Sequence, residues 1–377
     1  MATNALRIAV FPGDGIGREV IPAAVDVLRR LEARVGGFAL AFEEHAAGAA
    51  YYLETGKDIS KASFEAARAA DAILLGAMGL PDVRYPDGTE IAPHLTMRDE
   101  FGLFAGVRPV KAYPNTPRRL VDERAARLDF IVLRESTEGL FYSRGRSQVI
   151  GDSEVRETLR ISRPTTEKLF DVAFKLARQR KAKAGTGTSK GLVTCVDKSN
   201  VFPAYAFFRK IGFERAALNP DIRFSTNYVD AQALDLIRKP WDFDVLVMEN
   251  MFADILSDLG GGLVGGMGMA PCAELGENHG LFQPAHGSAP DIAGQDKANP
   301  TATLLSAAMM LDWLGERHGL PRMNEAAALL EQAVDRGFAT ARVRPMEFGG
   351  DQGLKAVMAG VGECLDELLT ARVRVHG

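Results

Sequence analysis

The sequence predicts an α/β fold, with parallel strands covered by helices, and three observations carry that reading. The first is alternation: short β-rich runs are followed by longer runs of helical period. The second is that the later strand segments, Phe130-Ile131-Val132-Leu133-Arg134, Leu192 to Asp197 and Asp244-Val245-Leu246-Val247-Met248, are apolar almost throughout, as buried strands are. The third is size: 377 residues, 46% hydrophobic and 25% charged, suffice for two lobes with a cleft between them.

Along the chain, Arg7-Ile8-Ala9-Val10-Phe11 reads as a strand that breaks at Pro12-Gly13-Asp14-Gly15, and an amphipathic helix runs from about Arg18 to Glu32. Leu40 to Glu43 is a weaker strand, Ser63 to Ala70 a helix, and Ala72 to Gly76 the strand it leads into. Residues 77–96 carry Pro81, Pro86, Gly88 and Pro93 and predict a loop, before a strand within Leu103 to Val110. Thr165 to Arg180 is helical, Arg178 to Lys190 reads as a solvated turn, and a helix after Met248 carries Asp254 and Asp258 before a glycine turn at Gly260-Gly261-Gly262. Thr301 to Arg317 and Asn324 to Phe338 are helical, and there is no internal repeat.

Charge and cysteine content narrow the classes. Forty-five basic against 49 acidic residues give a net charge of -4, which argues against a nucleic-acid binder. Cys195, Cys272 and Cys364 are odd in number and widely spaced, so neither a disulfide framework nor a cysteine metal site is expected. Residues Leu6 to Phe11 look like a strand rather than a signal-peptide core, and no 18-residue apolar run occurs. The expectation is a cytoplasmic enzyme.

Four groups of residues point to chemistry. Gly13-Asp14-Gly15-Ile16-Gly17 has the spacing of a tight turn rather than of a dinucleotide fingerprint. Gly185 to Lys190 lacks the order of a phosphate-binding loop and precedes a strand, which excludes a phosphotransferase reading. On a helix, Asp254 and Asp258 share one face and repel, a pattern that suits a hard divalent cation; a solvated acidic face or a pair of ion-pair partners is the alternative. Arg98, Arg108 and Arg134 each lie in apolar surroundings, and three such guanidiniums suit a multiply carboxylated ligand. Lys198 ends a buried strand, where a partly desolvated lysine can serve as a base.

With these residues in view, the chain resembles the β-decarboxylating dehydrogenases, the isocitrate/isopropylmalate dehydrogenase family. The resemblance runs through Ile8 to Gly17, Leu103 to Pro109, Arg134-Glu135-Ser136-Thr137-Glu138-Gly139, Val196 to Asn200, Asn227-Tyr228-Val229-Asp230, the acidic helix, His286 to Gly294, and Ala298-Asn299-Pro300. It implies a two-domain fold around a large mixed, mostly parallel sheet, not a Rossmann fold. One domain would combine residues 1–110 with 260–377 on the cofactor side; residues 111–259 would carry dimerisation, metal and substrate. It implies Mg²⁺ or Mn²⁺ on Asp254, Asp258 and the partner subunit's Asp230, with Lys198 also reaching across a homodimer to take the hydroxyl proton. Arg98, Arg108 and Arg134 would bind substrate carboxylates. NAD would lie against His286, Gly287, Ser288 and Ala289, with Asn299 and Asn200 near it. Asp291 would accept hydrogen bonds from the adenosine ribose and repel a 2′-phosphate.

The chain departs from the family pattern at two places. Relatives carry a tyrosine where Phe141 stands, with Tyr142 one residue later; on an extended segment the two would point oppositely, unless a bulge or turn brings Tyr142 in to protonate the product. His94, four residues before Arg98, stands where isopropylmalate enzymes resemble one another in having leucine, and its polarity favours a small polar or carboxylated substituent over an alkyl one. Gln283 replaces a common glutamate. The function expected is oxidation, with β-decarboxylation, of a malate-type 2-hydroxy acid, resembling 3-isopropylmalate dehydrogenase by overall pattern; the alternatives are a tartrate/D-malate-type enzyme and a regulatory or binding relative weakened in catalysis.

Overall fold

The first apolar run forms strand β1 (Leu6–Phe11), followed by α1 (Gly17–Val35), β2 (Leu40–Glu44), α2 (Ala49–Thr55), α3 (Lys61–Ala69) and β3 (Ala72–Leu75). This is a computed structural model describing residues 5–185 and 190–376, with side chains through residue 372. Val20, Ile21, Ala24, Leu28 and Leu31 recur at helical spacing and are buried, which seats α1 on the sheet. The glycine loop before α1 is a turn, as its spacing indicates: Gly13 and Gly15 have φ of 74° and 53°, and a Cβ on Gly15 would strike the Ser288 carbonyl.

The chain continues with α4 (Pro93–Glu100), β4 (Ala105–Lys111), β5 (Asp129–Glu135), a small hairpin of β6 (Gln148–Ile150) and β7 (Glu154–Arg156), then α5 (Arg163–Ala184) and β8 (Leu192–Asp197). It then forms α6 (Pro203–Ala217), β9 (Arg223–Tyr228), α7 (Val229–Arg238), β10 (Val245–Met248), α8 (Asn250–Leu263), β11 (Pro271–Leu275) and β12 (Gly280–Pro284), and ends in α9 (Thr301–His318), α10 (Pro321–Ala339) and α11 (Leu354–His376).

All strands but the hairpin join one ten-stranded sheet, in the order β2-β1-β3-β12-β11-β4-β5-β10-β8-β9. The sheet is mixed and mostly parallel, as expected. β2, β1, β3 and β12 form one parallel flank and β5, β10, β8 and β9 the other; β12-β11, β11-β4 and β4-β5 pair antiparallel between them. That antiparallel centre is where the arginines lie.

Several local expectations are corrected. The predicted loop over residues 77–96 ends early, because Pro93 opens α4 and places His94 and Arg98 one turn apart on it. Arg178 to Ala184 is helix rather than turn: the buried stripe Phe170, Ala173, Phe174, Ala177 continues into Arg180, whose Nε donates to Asp244 at 2.6 Å. Residues 186–189 of the stretch weighed as a phosphate loop lie outside the described residues. Gly260, Gly261 and Gly262 lie inside α8, not in a turn, because Gly260 lets the helix approach β4: a Cβ there would come within 2.7 Å of Val110. The segment holding Phe141 and Tyr142 is a 3₁₀ turn over Leu140–Ser143, not extended. Among the described residues, no helix is long and apolar enough to cross a membrane.

Candidate active site

Register builds the floor of the site. Gly106 of β4 lies opposite Arg134 of β5 on one side and opposite Glu274 of β11 on the other, and Arg108, two residues on, projects from the same face. Helix α8 packs over this face. Arg108 Nη1 donates to Asp254 Oδ1 at 3.1 Å and to Ser257 Oγ at 2.6 Å. Arg134 Nη1 pairs with the same Asp254 oxygen, while its Nε donates to Asn250 Oδ1 at 2.8 Å. From α4, Arg98 Nη2 forms an ion pair with Glu274 Oε1 at 2.9 Å.

All three arginines are buried, and the Nε–H groups of Arg98 and Arg108 have no partner. Buried donors of that kind call for an acceptor from outside the protein. Burial first, then Arg108 and Arg98, push Arg134 down to about 10, against the pull of Asp254 and Glu274; it stays charged at neutral pH. The three guanidiniums and Asp254 line a cleft of about 280 Å³. His94, Glu90, Phe141 and Gln283 complete its walls, with His286 and Gly287 on the far side.

His94 is half-buried, and its enclosed Nδ1 has no partner among the described residues. Burial, followed by the charges of Arg98, Arg144 and Arg134, lowers it to about 3, so a neutral imidazole faces the cleft. Phe141 lines the cleft, 5.0 Å beneath the Arg134 guanidinium, and Tyr142 does not: its ring lies between the guanidiniums of Arg146 and Arg160, at 4.5 and 4.6 Å. The turn that rotates Phe141 inward thus sends Tyr142 away.

A second cleft, of about 600 Å³, shares His286 and Gly287 with the first. Ile16, Gly268, Ala289 and Asn299 line it, as does Glu347, which accepts from Asn299 Nδ2 at 2.9 Å and from the Gly268 amide at 3.0 Å. Ser288 is buried beneath it and shapes it through the backbone: its hydroxyl donates to the Gly79 carbonyl and its own carbonyl accepts from Ile16 N–H at 2.8 Å. Asp291 is exposed and is not in the lining.

Asp254 and Asp258 sit one turn apart on α8. Burial first, and then Asp254, raise the Asp258 carboxyl above the ordinary range, against Arg108 and Arg134; a cation would relieve the pair. Asp230 is not with them. It opens α7, where it accepts from Lys198 Nζ at 2.6 Å, and Asn200 lies exposed beside that pair. Among the described residues no group of three or more acidic, histidine or cysteine side chains is placed to hold a metal. The two α8 aspartates are oxygen donors of the kind a hard cation takes, and the described residues bring no third to them.

Glu274, Asn250 and Glu347 escaped the sequence reading. Glu274 left one signal, a lone acid in the apolar strand Pro271-Cys272-Ala273-Glu274-Leu275; Asn250 and Glu347 left none, because their meaning depends on what folds against them.

The isocitrate/isopropylmalate dehydrogenase family model matches residues 7–362. The chain is 39% identical over 346 residues to a 3-isopropylmalate dehydrogenase of Chlorobium chlorochromatii, covering 89% of this chain and 91% of that one. It is 40% identical over 335 residues to a 3-isopropylmalate/3-methylmalate dehydrogenase of Methanocaldococcus jannaschii, covering 89% and 92%. Among solved structures, isocitrate dehydrogenase from Methylococcus capsulatus superposes with a TM-score of 0.81 at 31% identity, covering 96% of this chain and 99% of that one. A β-decarboxylating dehydrogenase from Thermococcus kodakarensis gives 0.76 at 32% identity, covering 97% of each. The chain belongs to the isocitrate/isopropylmalate dehydrogenase family, oxidoreductases that act on a CH–OH group and decarboxylate.

Proposed function

We propose that the chain oxidises a malate-type 2-hydroxy acid with NAD and Mg²⁺ or Mn²⁺, releases its β-carboxylate as CO₂, and works as a homodimer with shared sites. The observation that carries this is the convergence of Arg98, Arg108 and Arg134 with Asp254 on one cleft whose His286-Gly287 wall opens onto a second. The domain division expected from the sequence is kept in this proposal, with the cleft between the cofactor-side residues 1–110 and 260–377 and the remainder.

The arginines orient the acid through two carboxylates, and bidentate guanidinium contacts fix its angle. Asp254 now occupies Arg108 and Arg134, so it holds their place until a substrate carboxylate arrives. Asp254, Asp258 and the partner subunit's Asp230 would hold the metal, which supplies Lewis acidity at the substrate hydroxyl, while NAD supplies the hydride acceptor. Lys198 of the partner subunit takes the hydroxyl proton as hydride leaves C2. With Tyr142 turned away, the proton that replaces CO₂ comes from solvent. For the cofactor, Glu347 in the larger cleft and Asp291, adjacent in sequence to its lining residue Ile292, favour NAD over a 2′-phosphorylated form.

His94 favours a tartrate- or D-malate-type substrate over 3-isopropylmalate, because an alkyl group would leave its buried Nδ1 unpaired. The test is a panel of (R)-malate, tartrate, 3-isopropylmalate, isocitrate and homoisocitrate with NAD and Mn²⁺, following NADH and CO₂ together. (R)-Malate or tartrate is expected to lead. Folded protein that reduces NAD with none of the five would sink the proposal and favour a regulatory relative.

A further inference from the structure

The mechanism leaves Glu274 without a task, yet it is the most deeply buried charge in the site. It is fully enclosed, its Oε1 meets Arg98 Nη2 at 2.9 Å, and its Oε2 has no hydrogen-bond partner. Its place exists because Gly106, opposite it in register, has no side chain: a Cβ there would come within 2.9 Å of Glu274 Oε2 and 2.7 Å of Ser136 Oγ. Burial by itself would raise this carboxyl, but Arg98, Arg108 and Arg134 override it and hold it lowered, hence ionised at neutral pH.

We propose that Glu274 is a positioning and specificity-determining residue, which fixes Arg98 from behind and offsets one of three guanidinium charges, so that the cleft admits dicarboxylic hydroxy acids and rejects a third carboxylate. This rests on the reading that the three arginines bind substrate carboxylates. Two positive charges remain for two carboxylates. A third would enter beside His94, where the wall offers a neutral imidazole and the carboxylate of Glu90, a residue partnered only loosely by Arg84 at 3.7 Å. Glu90 is 61% exposed, so solvent screens its repulsion, and the discrimination rests chiefly on the missing third positive charge.

The test is calorimetric binding of (R)-malate and isocitrate to the full chain with Mn²⁺ and no NAD, for the wild type, Glu274→Gln and Glu274→Asp. The wild type should bind (R)-malate about tenfold or more tightly than isocitrate. Glu274→Gln should shift that ratio toward isocitrate by roughly tenfold, which is ~1.4 kcal/mol. Glu274→Asp, which keeps the charge, should retain the preference. Equal weakening of both acids in Glu274→Gln, as loss of mere scaffolding would give, overturns the proposal. So does wild-type binding of isocitrate as tight as that of (R)-malate, a result that needs no variant to fold. Binding of neither acid would instead overturn the reading of the arginines, and this proposal with it.

Discussion

The arginine cleft and the Lys198–Asp230 pair are built on opposite plans. In the cleft, Arg134 is 2% exposed and meets Asp254 and Asn250 of α8 and the charges of Arg108 on β4 and Arg98 on α4. The Lys198–Asp230 pair is an exposed contact between a strand end and the start of α7, with Asp230 at 68% exposure. One region meets its charges within the chain, save the Nε–H groups of Arg98 and Arg108; the other holds charged groups against each other at the surface. Exposed apolar side chains share its elements: Tyr228, Leu234 and Ile237 at and along α7, and Ile255 on α8 beside Asp254 and Asp258. Apolar surface next to an unfinished set of polar groups is what a second copy of the chain would cover.

The largest effect should come from breaking either region and then combining the breaks. Arg134→Ala, Asp258→Asn and Lys198→Ala should each lower kcat/KM by roughly 10³-fold or more, since each removes a charged contact made at the reacting acid. Mixing Asp258→Asn with Lys198→Ala through a denaturation and renaturation cycle should then restore about a quarter of wild-type activity, because half the dimers would carry one intact site. Mixtures as inactive as their components would place both residues in the same subunit's site and remove the contrast between the regions.

Next in size is the cation. Saturating Mn²⁺, at about 100 times its Kd, should stabilise the wild type by ~2.7 kcal/mol against thermal unfolding, and Asp258→Asn should lose most of that gain. Asp230→Asn should lose it too, though Asp230 does not join the α8 aspartates in a metal-holding group within one chain. Full Mn²⁺ protection in Asp230→Asn would show that α8 suffices.

How legible these regions were in the sequence follows from the same contrast. Strands β1 to β5, β8 and β10, α1 and the acidic helix were readable because apolar period and turn residues are local properties; β9, β11 and β12 were passed over. Arg98, Arg108 and Arg134 were readable because a guanidinium in an apolar run is anomalous wherever it folds. Glu274 was not, because its meaning lies in the register that sets it across Gly106 from Arg134. Helices α2, α6, α7 and α11 were passed over; α6 combines a weak apolar stripe with exposed Phe213, so it carries little of the signal that marks α1. Tyr142 was expected in the site only if a turn carried it in; the segment is a 3₁₀ turn, but it brings Phe141 to the cleft and leaves Tyr142 with Arg146 and Arg160.

Within the cleft, His94→Leu should be a smaller, selective change. Removing the imidazole should raise kcat/KM for 3-isopropylmalate relative to (R)-malate by roughly 10- to 100-fold, the range that one apolar group supplies in a pocket. Asn200→Leu, beside the Lys198–Asp230 pair, should leave that ratio unchanged. An unchanged ratio in His94→Leu would mean that the C3 substituent points elsewhere.

The smallest effect is one of pH and needs no substrate. His94 falls from its ordinary 6.5 to about 3, through burial first and then Arg98, Arg144 and Arg134. The unfolded chain therefore takes up a proton as pH drops below about 6.5, while the folded chain refuses it until about 3. The stabilisation this gives is present above the higher value and is lost as pH falls toward the lower one, at up to ~1.4 kcal/mol per pH unit. His94→Asn lacks that term, so the difference in urea unfolding free energy between wild type and variant should narrow or invert as pH falls from about 6 to about 5. Lys198→Ala removes no buried titrating group and should track the wild type across the same interval. A difference between wild type and His94→Asn that stays constant with pH would mean that solvent reaches the imidazole, and the cleft would then resemble the exposed pair more than its packing indicates.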